Sequence, residues 1–153
     1  MYTKFFKRFL DIVLSGMAIV VLSPLLLLLA VLVRLDSKGP IFFRQKRVGK
    51  GKTHFQILKF RSMYADTPHD MPTHMLGNAQ SHITRVGKVL RVTSLDELPQ
   101  LFNIFAGQMS IVGPRPALWN QFDLIEERDK YGANDLVPGL TGYAQINGRD
   151  EIP

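Results

Sequence analysis

Between Ile12 and Val33 the chain carries no charged residue, and no other stretch narrows the possible folds as far. Roughly 20 apolar residues in a helix suffice to cross the hydrocarbon of a bilayer. The flanks argue against a simple crossing. Lys4, Lys7 and Arg8 precede the run, and Arg34, Lys38, Arg44, Lys46 and Arg47 follow it, so both ends carry the positive charge that keeps a flank on the cytoplasmic side. Ser23-Pro24, in the middle, offers a resolution. Proline removes a backbone hydrogen bond at a cost of about 3 kcal/mol, and a neighbouring serine hydroxyl can take up the freed carbonyl. The expectation is a re-entrant helix over 1–36, broken at Ser23 and Pro24, that dips into one leaflet and returns. A kinked helix that spans is the alternative; a signal peptide fits poorly, because no small-residue cleavage site follows the leucine run.

The remaining chain, 37–153, is one domain's worth of sequence with a single modest core. A net charge of +6 and a pI near 9.8 suit a polyanion, an acidic membrane surface or a phosphorylated substrate. With no cysteine there is neither a disulfide framework nor thiolate chemistry. A nucleic-acid-binding domain would interleave aromatics with Lys and Arg on a sheet face, and only Phe55 and Phe60 come close, which argues against that class.

Gly39-Pro40 ends the apolar run. Ile41 to Phe43 reads as a short strand, Arg44 to Lys52 as a basic turn, and Phe55 to Arg61 as the returning strand. Gly51-Lys52-Thr53 is no P-loop, since its leading glycine would fall on Lys46. Period two places Phe55, Ile57, Lys59 and Arg61 on one face, with the two cations about 7 Å apart, a spacing that suits a diphosphate or two phosphates. A solvated strand end would look the same. Tyr64 to Ser81, rich in Pro and Gly, reads as a loop or lid, and its scattered histidines lack the spacing of a zinc site. Ile83 to Val92 reads as a helix with Val86, Val89 and Leu90 inward and Arg85, Lys88 and Arg91 outward.

Thr93 to Asn103 is the stretch richest in chemistry. Ser94 and Glu97 have the spacing of a capping box, and Leu98, Leu101, Phe102 and Phe105 recur as one helix face before Gly107. Capping accounts for Glu97 but leaves Asp96 available for metal or phosphoryl chemistry. Met109 to Val112 reads as a buried strand leading to Arg115, which is held between Pro114 and Pro116. Such a rigid turn suits a guanidinium clamp on an anion, although a plain turn with a solvent arginine is the simpler reading. Leu118, Phe122 and Ile125 mark an amphipathic helix, 138–142 a turn-rich loop, and Tyr143 to Arg149 a strand and turn. The fold class expected is α+β: a small membrane-associated domain with a re-entrant membrane helix, amphipathic helices and a short β-sheet or hairpin.

In order along the chain, Ser23-Pro24, Lys59-Phe60-Arg61-Ser62-Met63, Ser94-Leu95-Asp96-Glu97-Leu98, Ser110 to Pro116, Pro138 to Gly142 and Asn147-Gly148-Arg149 resemble the bacterial sugar transferases, the monotopic phosphoglycosyl transferases. That resemblance implies transfer of a sugar 1-phosphate from a UDP-sugar to polyprenyl phosphate with release of UMP, at the cytoplasmic face of the bacterial inner membrane. The pathways implied are exopolysaccharide and other glycoconjugate assembly. It implies Mg²⁺, with Asp96 as nucleophile and Asp96 and Glu97 on the metal. Lys59, Arg61, Arg115, Asn147 and Arg149 become candidate phosphate and substrate contacts, and membrane lipid and a second copy of the chain become candidate partners. Family members usually run on past the Asn-Gly-Arg turn, so the resemblance also implies that the C-terminal part of the family domain is missing here. A catalytically impaired membrane-bound partner or assembly module is the alternative function. The resemblance apart, a diphosphate attacked by an anion needs fixed cations and a divalent metal more than an acid or base, and these residues provide such a set.

Overall fold

The structure, a computed structural model, describes residues 2–147. Helix α1 (Tyr2–Asp36) continues through Pro24 without interruption, so the expected break at Ser23-Pro24 is not formed. The physical reason is local. Proline leaves the Val20 carbonyl without its helical donor, and the Ser23 hydroxyl donates to that carbonyl at 2.8 Å, so the helix has no unsatisfied group forcing it to end.

A single stripe of α1 faces the protein along nearly its whole length. Asp11, Ser15, Leu29 and Val33 are buried, and Ala18, Ile19, Leu22, Leu25, Leu26 and Ala30 pack between them, which is helical periodicity with one inward face. Both ends of the helix therefore rest on the same body. The opposite face exposes Phe5, Met17, Val20, Val21, Leu27 and Leu35, each more than half accessible.

Strands β1 (Phe42–Val48) and β2 (His54–Phe60) form an antiparallel hairpin in which Phe42 pairs with Phe60 and Arg47 with Phe55. The strand thus continues through Arg44 to Arg47, where a basic turn was expected. Pairing explains it: Arg44, Gln45, Lys46 and Arg47 stand in register with Leu58, Ile57, Gln56 and Phe55 of the returning strand. The segment from Tyr64 to His82 is irregular, as anticipated, with short 3₁₀ turns at Thr73–Met75 and Ala79–His82.

Thr84 caps α2 (Arg85–Thr93), accepting from the Gly87 amide at 2.9 Å. Gly87 and Leu90 are its buried residues. Val89 was expected inward and is instead 61% exposed, next to Val92 at 86%; the Ser62 carbonyl lies against Gly87 and turns that side of the helix inward.

Ser94 has left-handed backbone angles, φ 58° and ψ 16°. It therefore ends α2 instead of capping the next helix, and it makes no side-chain cap bond, because an N-cap serine needs extended backbone to reach the N3 amide. The capping box is not formed. A 3₁₀ turn, Leu95–Glu97, intervenes before α3 (Gln100–Ala106). Gly107 (φ 93°) ends α3 in the left-handed conformation that glycine adopts most easily. The inward face of α3 is Gln100, Leu101, Asn103 and Ile104, leaving Phe102 and Phe105 exposed at 42% and 51%. Asn103 explains the rotation. Its side chain accepts from the Leu58 amide at 2.9 Å and donates to the Gln56 carbonyl at 2.8 Å, pairing the free edge of β2.

Strand β3 (Ser110–Val112) pairs in parallel with β4 (Gly139–Thr141). Gly139 was expected in a loop and Tyr143 to Arg149 as a strand and turn; in the described residues the strand is Gly139–Thr141, and α5 (Tyr143–Ile146) follows it. Gly113 and Gly139 approach so closely that a Cβ on either would collide with the other's backbone. The remaining helix, α4 (Phe122–Lys130), has no buried residue, and Phe122 is 68% exposed. Two apolar clusters form the core. Phe55, Ile57, Leu101, Ile104 and Met109 make one, Leu29, Val33, Phe60 and Leu90 the other, and α1 runs along both.

Candidate active site

Asn103 draws α3 onto the edge of β2, and that contact brings Glu97, just before α3, to Lys59 on β2. The Lys59 ammonium donates to Glu97 Oε1 at 2.9 Å, with both side chains largely withdrawn from water. Arg115, delivered by the turn after β3, places its guanidinium 3.9 Å from the same oxygen. Arg115 keeps about half of its side chain exposed, so it can still meet a ligand. Three of the residues expected from the sequence therefore do converge.

Asp96 is buried within the 3₁₀ turn at 8% exposure. Burial raises its carboxyl above the usual carboxylate range. Lys59 pulls in the opposite direction, Glu97 pushes further up, and Arg91 helps to hold the charge. The local backbone explains the burial. With Ser94 left-handed and Pro99 following, Leu95 to Glu97 form a tight connection between two helices, in which Leu95 packs against the core and Asp96 is buried.

Arg47 is a site residue that the sequence reading did not single out. Its guanidinium is mostly withdrawn from water, donates to the Pro116 carbonyl at 3.1 Å and to Gln45 Oε1 at 2.5 Å, and has its pKa lowered to about 10, first by burial, then by Arg115, against Glu97. It shares a small cleft with Lys59, Glu97, Gln100 and Arg115. The signal was present: counting by two from Lys59 back across the hairpin reaches Arg47 on the same face, provided the first strand runs to Val48. The Val48 amide also donates to the Ala117 carbonyl at 2.9 Å, so β1 holds the turn that carries Arg115 from its far side.

Arg61 does not join this group. It lies one residue past β2, is 4% exposed, and donates to the carbonyls of Ser37 at 2.7 Å, Val33 at 3.4 Å and Lys38. It thereby caps the C-terminal end of α1, where a cation also complements the helix dipole. Asn147 is exposed and donates to the Tyr143 carbonyl at 2.9 Å, closing α5 instead of reaching the cleft. Arg149 lies outside the described residues.

For a metal, no group of three or more His, Asp or Glu side chains is assembled among the described residues. The adjacent carboxylates of Asp96 and Glu97 do fit Mg²⁺, which commonly takes one or two protein carboxylates and completes its shell with substrate phosphates and water.

The site thus combines a buried carboxylate, a second carboxylate next in sequence and three cationic side chains around it, on a domain that also carries a long apolar helix. The chain belongs to the bacterial sugar transferase family, whose sequence pattern matches residues 2–153. It is 42% identical over 151 residues to the UDP-glucose:undecaprenyl-phosphate glucose-1-phosphate transferase of Klebsiella pneumoniae, covering 94% of this chain and 31% of that protein. Against the UDP-N-acetylgalactosamine-undecaprenyl-phosphate N-acetylgalactosaminephosphotransferase of Aeromonas hydrophila it is 44% identical, covering 93% and 34%. The exopolysaccharide production protein ExoY of Sinorhizobium fredii is 37% identical, with 95% and 70% covered. The chain thus spans about a third of the length of the first two relatives.

Proposed function

We propose that this chain is the catalytic part of a phosphoglycosyl transferase that moves a sugar 1-phosphate from a UDP-sugar to a polyprenyl phosphate such as undecaprenyl phosphate. The observation that carries the proposal is the convergence of Lys59, Arg47 and Arg115 on Glu97, beside the buried Asp96. The names of the relatives supply the substrate class.

In this reading an Asp96 carboxylate oxygen attacks the phosphorus that bears the sugar. The bond from that phosphorus to the bridging oxygen breaks, UMP leaves with the electron pair, and a phospho-sugar remains on Asp96. An oxygen of the lipid phosphate then attacks the same phosphorus and the carboxylate departs, which yields the polyprenyl-diphosphate-sugar. Lys59 opposes the effect of burial on Asp96 and favours its charged form. Arg115 and Arg47 stabilise the charge spreading over the diphosphate oxygens, and a guanidinium does this in a bidentate manner. Mg²⁺, held by Asp96 and Glu97, would supply charge neutralisation on the diphosphate.

The exposed apolar face of α1 supplies the route to the acceptor. With both ends of α1 on one body, that face suits lodging in the cytoplasmic leaflet of the inner membrane, and α2 and α3 expose further apolar side chains, Val89, Val92, Phe102 and Phe105. The active site would then lie near headgroup level, where the lipid phosphate is presented.

The test is intact-protein mass after incubation with a panel of UDP-sugars and Mg²⁺ but no lipid acceptor. One phospho-sugar added at Asp96 with equimolar UMP is the expected result. UMP release only when lipid is present would indicate direct transfer and reassign Asp96, and no release under any condition would favour a non-catalytic membrane partner.

A further inference from the structure

Asp11, immediately before the uncharged run of α1, is only 6% exposed. A carboxylate is costly to bury unless donors meet it, and its donors come from β3. The Ser110 hydroxyl donates to Oδ2 at 2.7 Å, and the Ile111 amide donates to Oδ1 at 3.0 Å. Lys7, one turn earlier, is 3.8 Å from Oδ2 and donates to the Ser110 hydroxyl and to the Val112 carbonyl at 2.9 Å. Each oxygen of the carboxylate thus holds a different group of the same short strand.

From this clamp to Arg115 the chain has little slack. The Gly113 amide donates to the Thr141 carbonyl, the Gly139 amide donates to the Pro114 carbonyl, both at 2.9 Å, and Pro114 and Pro116 fix the backbone on either side of Arg115. A shift at Ile111 has nowhere to dissipate before Arg115. On the same turn of α1, Arg8 donates to the carbonyls of Ile104 at 2.6 Å and Phe105 at 2.8 Å. Those residues lie in the last turn of α3, which begins shortly after Asp96 and Glu97. Neighbouring side chains of one apolar helix therefore grip the strand that leads to Arg115 and the helix that follows Asp96 and Glu97.

We infer that Asp11 is a positioning residue for Arg115, so that the seating of α1 on the domain sets the geometry between Arg115 and Glu97. The inference rests on the proposed transferase reading for its kinetic consequences and stands apart from it for its structural ones. An asparagine at this position is a discriminating change, because its amide oxygen replaces one acceptor while its NH₂ group confronts the second donor.

The experiment compares Asp11→Asn, Arg115→Lys and the double variant, in nanodiscs, by UMP release and by amide hydrogen exchange. Asp11→Asn is expected to lower kcat/KM by about 10- to 100-fold, the scale of a misplaced catalytic group. In the Arg115→Lys background the same change should cost less than about 3-fold, because the clamp no longer has a guanidinium to place. Exchange over 113–118 should speed up in Asp11→Asn while α2 and the β1–β2 hairpin keep their protection. Ser110→Ala, which removes one of the two bonds, should show the same pattern more weakly and serves if Asp11→Asn does not fold. Independent, multiplicative losses, or unchanged exchange over 113–118, would overturn the inference. If the wild-type protein releases no UMP from any UDP-sugar, the transferase reading fails and the exchange comparison still decides the role of Asp11.

Discussion

Replacing Lys59 with methionine separates two jobs that one ammonium performs. The change keeps most of the apolar stem and removes the charge 2.9 Å from Glu97 Oε1. Truncating one partner of a fully buried pair costs about 3–5 kcal/mol, whereas exposed pairs are worth about 0.2–1 kcal/mol. Here the side chains are 17% and 24% exposed, and Arg115 stays 3.9 Å from the same oxygen. The expected loss is therefore intermediate, about 2 kcal/mol in denaturant unfolding at pH 7. The second effect falls on Asp96. Burial raises its carboxyl, and Lys59 is the strongest influence holding it down, so without Lys59 it rises further. A carboxyl whose folded pKa lies above its ordinary value of 3.8 contributes stability that is present below that value and lost as pH rises through the folded pKa. The penalty of Lys59→Met should accordingly grow with pH across that window, and the acid limb of adduct formation should move to higher pH. Carbon-13 NMR of the Asp96 carboxyl reads the shift without reference to activity. An unchanged Asp96 titration together with a stability loss under about 0.5 kcal/mol would refute the reasoning.

Arg61→Met should remove the cap on α1 and cost about 2–3 kcal/mol of stability while leaving the KM for the UDP-sugar within about twofold; a large KM change with little loss of stability would return Arg61 to the phosphate site. Asp96→Asn should be no less stable than wild type at neutral pH, since it removes a buried charge, yet form no phospho-sugar adduct; the two readouts are thermal unfolding and intact mass. Arg115→Lys should lose roughly 2 kcal/mol of transition-state stabilisation, because an ammonium cannot reproduce a bidentate guanidinium, and steady-state UMP release measures it. In Pro24→Leu the Val20 carbonyl regains a backbone donor and α1 keeps its seat, so an N-terminal tag should remain accessible from the same side as the rest of the domain; a switch of sides would show that Pro24, and not packing, sets the topology.

Much of the site was legible because its residues are marked by local chemistry. An uncharged run from Ile12 to Val33 is visible by composition, Arg115 is flagged by its two prolines, and Asp96-Glu97 stands out as a carboxylate pair in an otherwise apolar helix region. Lys59 was reachable by counting in twos along a strand, and Gly107 by its place after the last helical residue. Each of these signals depends on neighbours a few residues away, and the sequence holds them whatever the chain later packs against.

Decisions that depend on distant partners came only with the tertiary structure. Ser94 and Glu97 match a capping box by spacing, but Lys59, on a strand 38 residues earlier, takes the glutamate, and the left-handed backbone at Ser94 rules out the cap. Arg61 and Lys59 share a face by periodicity, yet the carbonyls at the end of α1 claim one and Glu97 the other. Phe102 and Phe105 fit an inward stripe until Asn103 bonds the edge of β2 and rotates α3. A cation, a hydroxyl or an amide has several chemically equivalent partners in a sequence, and only the packed chain determines which is within 3 Å. For this protein the amino-acid sequence by itself determined the apolar helix and the kinds of groups in the site, and the fold decided which of them meet.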